Sequence, residues 1–336
     1  MLDFTLSPVA PAPLPGEDTR LYPGGGPSQA GASRLSAATH CDRWFAYRYG
    51  LDRFRGGSAA QAGGSLVHAG LAQHYARVGA AQKGGIIVAG EHVTDPERLG
   101  TIAEAIGREA AARGVEPDAD LVVDSRECVE QYAAHYRYDD RPFTILHVEE
   151  VFSARFPCAP HAVTVLASQA HVLNPAGVVV ARAGEGPAAT VTVQFTEYLW
   201  TTRIDLAFGS GGKVVICDHK TTARIETKHP RIYALTSQMA GLRWLGNHVY
   251  GARFGGVLLN MVQRETPRKF TRPTMDAAPS LARDFPQHVA DVEARIEANA
   301  VQARPFAAWP TASNEHACYS RYGRCSAADT CLWGAE

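Results

Sequence analysis

Two aspartates and a lysine near the middle of the chain have the types and spacing for metal-assisted hydrolysis: Asp205, then Asp218 and Lys220. Gly209-Ser210-Gly211-Gly212 separates two strand-like runs, Arg203–Phe208 and Lys213–Asp218, and reads as a hairpin loop. A four-residue loop pairs Phe208 with Lys213 and sets Asp205 opposite Ile216, with Asp218 and Lys220 further along the same face. Carboxylates placed diagonally on a strand pair are about 7–8 Å apart at Cα. Alone they repel and one pKa rises, so a divalent cation is the natural third party. Lys220 adds positive charge where phosphodiester hydrolysis builds negative charge, and it can orient the attacking water. His68 shares a predicted helix face with Leu71, Ala72 and Tyr75 and offers a nitrogen ligand. Imidazole beside two carboxylates leans toward Mn²⁺ over Mg²⁺.

Seven cysteines stand at 41, 128, 158, 217, 318, 325 and 331. The last three form Cys318-x6-Cys325-x5-Cys331, with Cys41 placed in a helix nearly the full chain away. Clustered thiols in a chain read as cytoplasmic point to metal before disulfides. Structural zinc prefers two-residue knuckles, absent here, whereas an iron–sulfur cluster accepts looser spacing and a distant fourth thiolate. The order of expectation is cluster, then Zn²⁺. Cys128, Cys158 and Cys217 read as ordinary buried or half-buried thiols.

The elements that must position these groups follow from periodicity. Residues 1–32, rich in proline with Gly-Gly-Gly at 24–26, read as a flexible arm. Helices are expected over 33–50, 64–78, 96–113, 124–138, 230–250 and 277–300. Strands are expected over 143–156, 162–167, 190–200, 203–208, 213–218 and 255–262, with a loop-rich tail from 301. The fold class is α/β, one central mixed sheet flanked by helices, with 79–140 as a helical insertion, 141–300 as the core and 301–336 as a cysteine segment. The 336 residues carry 33 Lys+Arg against 34 Asp+Glu, so no global basic field exists, only room for a local basic channel. Hydrophobic residues make up 46%, too many for a disordered chain. No run is long and apolar enough for a membrane span, and Met1–Phe4 has no secretory pattern, so no membrane partner is expected.

Asp205 followed by Asp218-His219-Lys220 resembles the D…(D/E)-x-K core of the PD-(D/E)XK nuclease superfamily. Gly64-Ser65-Leu66-Val67-His68 resembles the G-x-x-x-H helix of its RecB-like branch, and Gln238 matches the glutamine of that branch's Q-x-x-x-Y motif. The stretch from Ser33 through Cys41-Asp42-Arg43-Trp44-Phe45 is similar to the first-cysteine helix of the AddB-like and CRISPR-associated iron–sulfur exonucleases. Leu242 stands where the Q-x-x-x-Y tyrosine would be, and the x6 spacing departs from that group's C-x2-C-x5-C.

The resemblance implies a restriction-endonuclease-like core hydrolysing DNA with Mg²⁺ or Mn²⁺. The ligands would be His68, Asp205, Asp218 and the backbone carbonyl of His219, with Glu149 or Glu150 as a further acidic position. Lys220 would be catalytic, and Cys41, Cys318, Cys325 and Cys331 would hold a 4Fe-4S cluster. Arg264, Arg268, Lys269 and Arg272 form a basic cluster around Phe270 that could contact phosphates. The expected substrate is DNA, single-stranded or with single-stranded ends. With no G-x4-G-K-[S/T] in the chain, any helicase or recombination partner is a separate protein. A non-catalytic DNA adaptor on this fold and a metal-dependent hydrolase of another substrate are the rival readings.

Overall fold

The computed structural model describes residues 30–51, 59–88, 91–116, 119–275, 279–303, 305–310, 319–320, 323–324 and 331. Most of the expected arm, and Cys318 and Cys325, lie outside them. In chain order the elements are α1 (Ala32–His40), α2 (Asp42–Phe45), a π-helical turn Ala46–Gly50 and α3 (Ala59–Ala80). Next come β1 (Ile86–Val88), β2 (Glu91–Val93), α4 (Ile102–Ala112), α5 (Asp120–His135) and β3 (Thr144–Leu166). They are followed by β4 (Val178–Ala183), β5 (Thr190–Ser210), β6 (Lys213–Thr222), α6 (His229–Ala234) and α7 (Ser237–Tyr250). The chain then forms β7 (Phe254–Gln263), β8 (Lys269–Thr271), β9 (Thr274–Met275), α8 (Pro279–Arg283), α9 (Phe285–Val301), β10 (Tyr319–Ser320) and β11 (Gly323–Arg324).

One mixed sheet runs β2-β1-β3-β5-β6-β7-β8, with β4 on β5 and β9 on β7. β6 and β7 are parallel, which requires a crossover, and α6 and α7 supply it. Two apolar clusters cover the two faces. Leu35, Phe45, Trp200, Trp244 and Phe285 belong to one. Leu66, Leu71, Ile106, Val129 and Phe208 belong to the other, beneath α3, α4 and α5. The expected α/β class with helices on both faces is what forms. No helix among the described residues is long and apolar enough to cross a membrane.

Four expectations change. The strands expected as 143–156 with 162–167, and 190–200 with 203–208, are the continuous β3 and β5; Pro157 and Pro160 are absorbed at a register shift between Pro157 and His161 rather than ending the strand. The segment 79–140 is not wholly helical, because β1 joins the sheet parallel to β3 through Ile87↔His147. The helix expected over 230–250 breaks before Thr236, whose hydroxyl accepts the Met239 amide and starts α7. Cys41 is not inside a helix. Its backbone is extended (φ −168°, ψ 126°) between α1 and α2. Asp42 accounts for the break, since its carboxylate pairs with Arg295 at 2.9 Å and accepts from Asn299 at 3.0 Å, drawing α2 onto α9.

Buried among the apolar residues of the first cluster, Arg34 on α1 is fully enclosed. It donates through Nε and Nη2 to Glu293 of α9 at 2.9 and 2.7 Å, and through Nη2 to the Val172 carbonyl at 2.8 Å.

Candidate active site

The hairpin that carries the two aspartates turns on Gly211 and Gly212 alone. Both have positive φ (56° and 77°), the conformation of a two-residue turn whose twist matches the flanking strands. Leu206 therefore pairs with Cys217 and Phe208 with Val215, two residues off the register expected from a four-residue loop. The ladder ends at that Leu206↔Cys217 pair, so Asp205 and Asp218 are the first residues beyond its paired end.

Helix α3 brings His68 to Asp205. A Cβ on Gly64 would stand 2.7 Å from Thr221 Oγ1, so glycine is what lets this helix approach β6. His68 Nδ1 is then 3.8 Å from Asp205 Oδ2, and that same oxygen accepts the His219 amide at 2.6 Å. Asp218 is held from the opposite layer. Gln238, in the first turn of α7, donates to its Oδ1 at 2.7 Å, and Lys220 Nζ lies 2.6 Å from its Oδ2. The Lys220 ammonium also sits 5.9 Å from the centre of the Tyr233 ring.

The titration behaviour follows from burial and these charges. Burial, then Asp205, pushes the Asp218 carboxyl up to about 6 against the pull of Lys220. Burial opposes ionisation of Asp205 as well, yet His68, His219 and Lys220 together hold its carboxyl below the usual range. Burial disfavours the Lys220 charge, but Asp218 and Asp205 outweigh it and raise its pKa. His68 is pushed down, chiefly by burial, which keeps its imidazole neutral and its lone pair available.

Glu149 and Glu150 divide cleanly. Glu149, at positive φ (54°), pairs with Arg203 at 2.9 Å and is pushed up to about 7, mainly by burial, with Asp205 adding to the rise. Glu150 is only 2% exposed and lies one strand position away.

Among the described residues no three His, Cys, Asp or Glu side chains form a group that could hold a metal ion. Asp205 and Asp218 are turned instead to protein donors. Their chemistry nonetheless suits a hard divalent cation: two buried carboxylates, a neutral imidazole beside them, and Asp218 Oδ2 buried without a well-directed hydrogen bond. The residues therefore fit such an ion if Lys220 yields its place on Asp218.

Three supporting residues carry no motif. Asn260 of β7, fully buried, donates from Nδ2 to His219 Nδ1 at 2.7 Å, and Tyr75 stacks on the His219 ring at 5.9 Å. These contacts hold the strand between Asp218 and Lys220. Asn260 was detectable as a polar residue inside the apolar run Leu258-Leu259-Asn260-Met261-Val262. Tyr75 and Tyr233 give no such signal, because aromatic residues on helices read as core.

The basic cluster does not survive as a unit. Arg272 pairs with Asp140, donates to the hydroxyls of Tyr75 and Tyr132 at 2.6 Å each, and lies over the Tyr136 ring at 3.5 Å. Arg268 pairs with Asp124 and Glu127 of α5. Both arginines fasten α5 and the segment after it to the sheet, and their charge is spent inside the fold. Lys269 is exposed, and the Arg264 guanidinium lies where a Cβ on Gly63 would stand.

At the chain ends, Cys41 caps α2 and Arg43 of that helix donates to the Cys331 carbonyl at 3.1 Å, with Cys331 Sγ at 3.7 Å. Within the interval between Cys318 and Cys325, β10 and β11 pair antiparallel, Tyr319↔Arg324 and Ser320↔Gly323. Cys128 and Cys217 are buried and Cys158 half-buried.

No curated protein and no solved structure matches the chain. A family model does, that of the PD-(D/E)XK nuclease superfamily, over residues 29–332. That span takes in every group just described, from the helix that caps at Cys41 to the lysine beside Asp218, and the chain belongs to the PD-(D/E)XK nuclease superfamily.

Proposed function

We infer that the protein is a metal-dependent deoxyribonuclease, hydrolysing phosphodiester bonds at Asp205, Asp218 and Lys220. The observation that carries this is the convergence of the two aspartates at the end of one hairpin, with Lys220 against Asp218 and His68 against Asp205. Mg²⁺ or Mn²⁺ would be held by Asp205 and Asp218, with His68 and the His219 carbonyl completing the set, and Glu149 would help hold the attacking water. Such an ion supplies charge for the phosphate and lowers the pKa of the attacking water. Lys220, once it leaves Asp218, places its ammonium against the negative charge that builds on the phosphate. Gln238 keeps the Asp218 carboxylate aimed, and Asn260 and Tyr75 hold the peptide between Asp218 and Lys220. The adaptor reading has less support, because every group the hydrolysis needs is present at the site.

Exonucleolytic action on DNA ends during recombination or repair, beside a separate helicase or recombination protein, is proposed from the resemblance of the cysteine pattern to AddB-like and CRISPR-associated exonucleases. A 4Fe-4S cluster on Cys41, Cys318, Cys325 and Cys331 is proposed with it. The support is that Arg43 ties α2, capped by Cys41, to Cys331, and that the antiparallel pair β10–β11 lies within the x6 interval. Its role would be to lock the first helices to the chain's end. Zn²⁺ is the alternative occupant, and iron and sulfide analysis of anaerobically purified protein separates the two.

The test is cleavage of labelled linear and circular DNA, single- and double-stranded, by anaerobically purified protein. Cutting is expected with Mg²⁺ or Mn²⁺ and none with a chelator, with restoration on adding back either ion. Cutting of linear but not circular DNA supports the exonuclease proposal. A folded protein that cuts none of these with either metal sinks the nuclease reading and leaves the adaptor. Gln238→Ala is expected to slow cleavage about tenfold or more, the worth of a hydrogen bond to a charged group. Its thermal midpoint should move little.

A further inference from the structure

Arg203 lies outside the motif positions at the candidate site, two residues before Asp205 on β5. Its side chain is 48% exposed, and its ion-pair partner is Glu149 on β3, Nε to Oε2 at 2.9 Å. Arg268 and Arg272, which fasten α5, are enclosed by comparison, at 9% and 11%. An ion pair as open to water as that of Arg203 with Glu149 adds little to stability. What it does is keep a guanidinium, half in solvent, beside the carboxylates of the site.

Glu149 is held there against its own backbone preference. Its φ of 54° within β3 persists in a non-glycine residue only where the surrounding structure enforces it, and such positions cluster at functional sites. Val148 pairs with Leu206 and Glu150 with Ile204, so Glu149 and Asp205 are the two residues left between these steps. Their charges meet. Burial and Asp205 raise the Glu149 carboxyl against the pull of Arg203, and Arg203 adds to the burial that lowers His68. Two residues of strand cover about 7 Å, on the scale of one nucleotide step. A phosphodiester held at Asp205 therefore brings its neighbouring phosphate within reach of the Arg203 fork.

We propose that Arg203 exchanges partners when substrate binds: it leaves Glu149 for the phosphate next to the scissile one, and the released Glu149 carboxylate is then free to hold the attacking water. A guanidinium fork takes two phosphate oxygens as readily as two carboxylate oxygens, so the exchange keeps the charge matched. Cleavage is thereby tied to a polynucleotide, in which a second phosphate follows the first. The proposal rests on the nuclease reading for its role in cleavage, but the phosphate contact can be measured without cleavage. The full chain, with chelator present so that nothing is cut, is titrated with a fluorescent single-stranded oligonucleotide over a range of salt. Arg203→Gln is expected to weaken binding about tenfold and to lower the slope of log Kd against log salt by about 0.7, the share of one phosphate contact. Arg203→Lys should recover the slope, since the charge returns. Cutting with Mn²⁺ is then mapped on oligonucleotides that carry one uncharged methylphosphonate. In the wild type, cutting at a phosphate flanking the methylphosphonate should slow about tenfold or more. In Arg203→Gln, already slowed, the methylphosphonate should cost nothing further.

An unchanged affinity and salt slope in folded Arg203→Gln overturns the contact, as does an equal methylphosphonate penalty in variant and wild type. A wild type indifferent to a flanking methylphosphonate overturns it without any variant. A lowered slope in Arg203→Gln, beside a wild type that binds but cuts nothing with metal, supports the phosphate contact while the nuclease reading fails. Metal-dependent cutting with the same rate and slope in Arg203→Gln as in the wild type does the reverse.

Discussion

Lys220→Ala is expected to lower single-turnover DNA cleavage by about 10²–10³-fold at saturating Mn²⁺, the usual loss when one charge aimed at a transition state is removed. The side chain is the only ammonium beside the two carboxylates among the described residues, 2.6 Å from Asp218. The fold should survive the change. Asp218, already raised to about 6 by burial and by Asp205, can take up a proton rather than remain as a bare buried charge. Far-UV circular dichroism and the thermal midpoint check that point. Lys220→Arg should recover only part of the rate, because a planar fork does not replace a compact ammonium. A folded alanine variant cutting at the wild-type rate would remove Lys220 from the chemistry.

The largest effect on stability is expected away from the site, at Arg34. Its guanidinium is fully buried against Glu293, itself 1% exposed, and it also donates to the Val172 carbonyl. Arg34→Met leaves the Glu293 carboxylate buried without its partner, a loss of about 3–5 kcal/mol. Arg34→Met combined with Glu293→Leu should recover most of that loss, since two apolar groups can replace a buried pair at little net cost. Denaturant titration of the wild type, both single variants (Arg34→Met and Glu293→Leu) and the double variant gives the coupling energy. Equal stability of the single variant and the wild type would mean the pair contributes nothing. The pair joins α1 to α9, so its loss should also loosen the cysteine segment that α1 and α2 help to hold.

Two parts of the candidate site show why register was the weak point of sequence reasoning. The hairpin, its two aspartates and its lysine were legible because alternation of apolar residues and a glycine-rich turn are local signals. The pairing was not, since four loop residues permit a two-residue turn, and both glycines accept the positive φ it needs. The basic cluster failed for a different reason. Charge is visible in sequence, but whether an arginine faces solvent or an acid depends on a residue more than a hundred positions away, as Arg268 does on Asp124 and Arg272 on Asp140. Cys41 was misplaced in a helix for the same cause, because the contact of Asp42 with Arg295 that bends the chain there is long-range.

From the sequence alone came the α/β class, the sheet flanked by helices, and the pattern of Asp205, Asp218, Lys220, His68 and Gln238 that resembles the superfamily's motifs. These depend on side-chain period and residue type, which neighbours in sequence largely decide. Only the tertiary structure could bring Asp205 and Asp218 to one end of the hairpin ladder, enlist Asn260 and Tyr75 behind His219, and withdraw Arg268 and Arg272 into the fold. Those outcomes turn on which distant groups meet when burial forces every buried charge and polar atom to find a partner, and no local pattern records that choice.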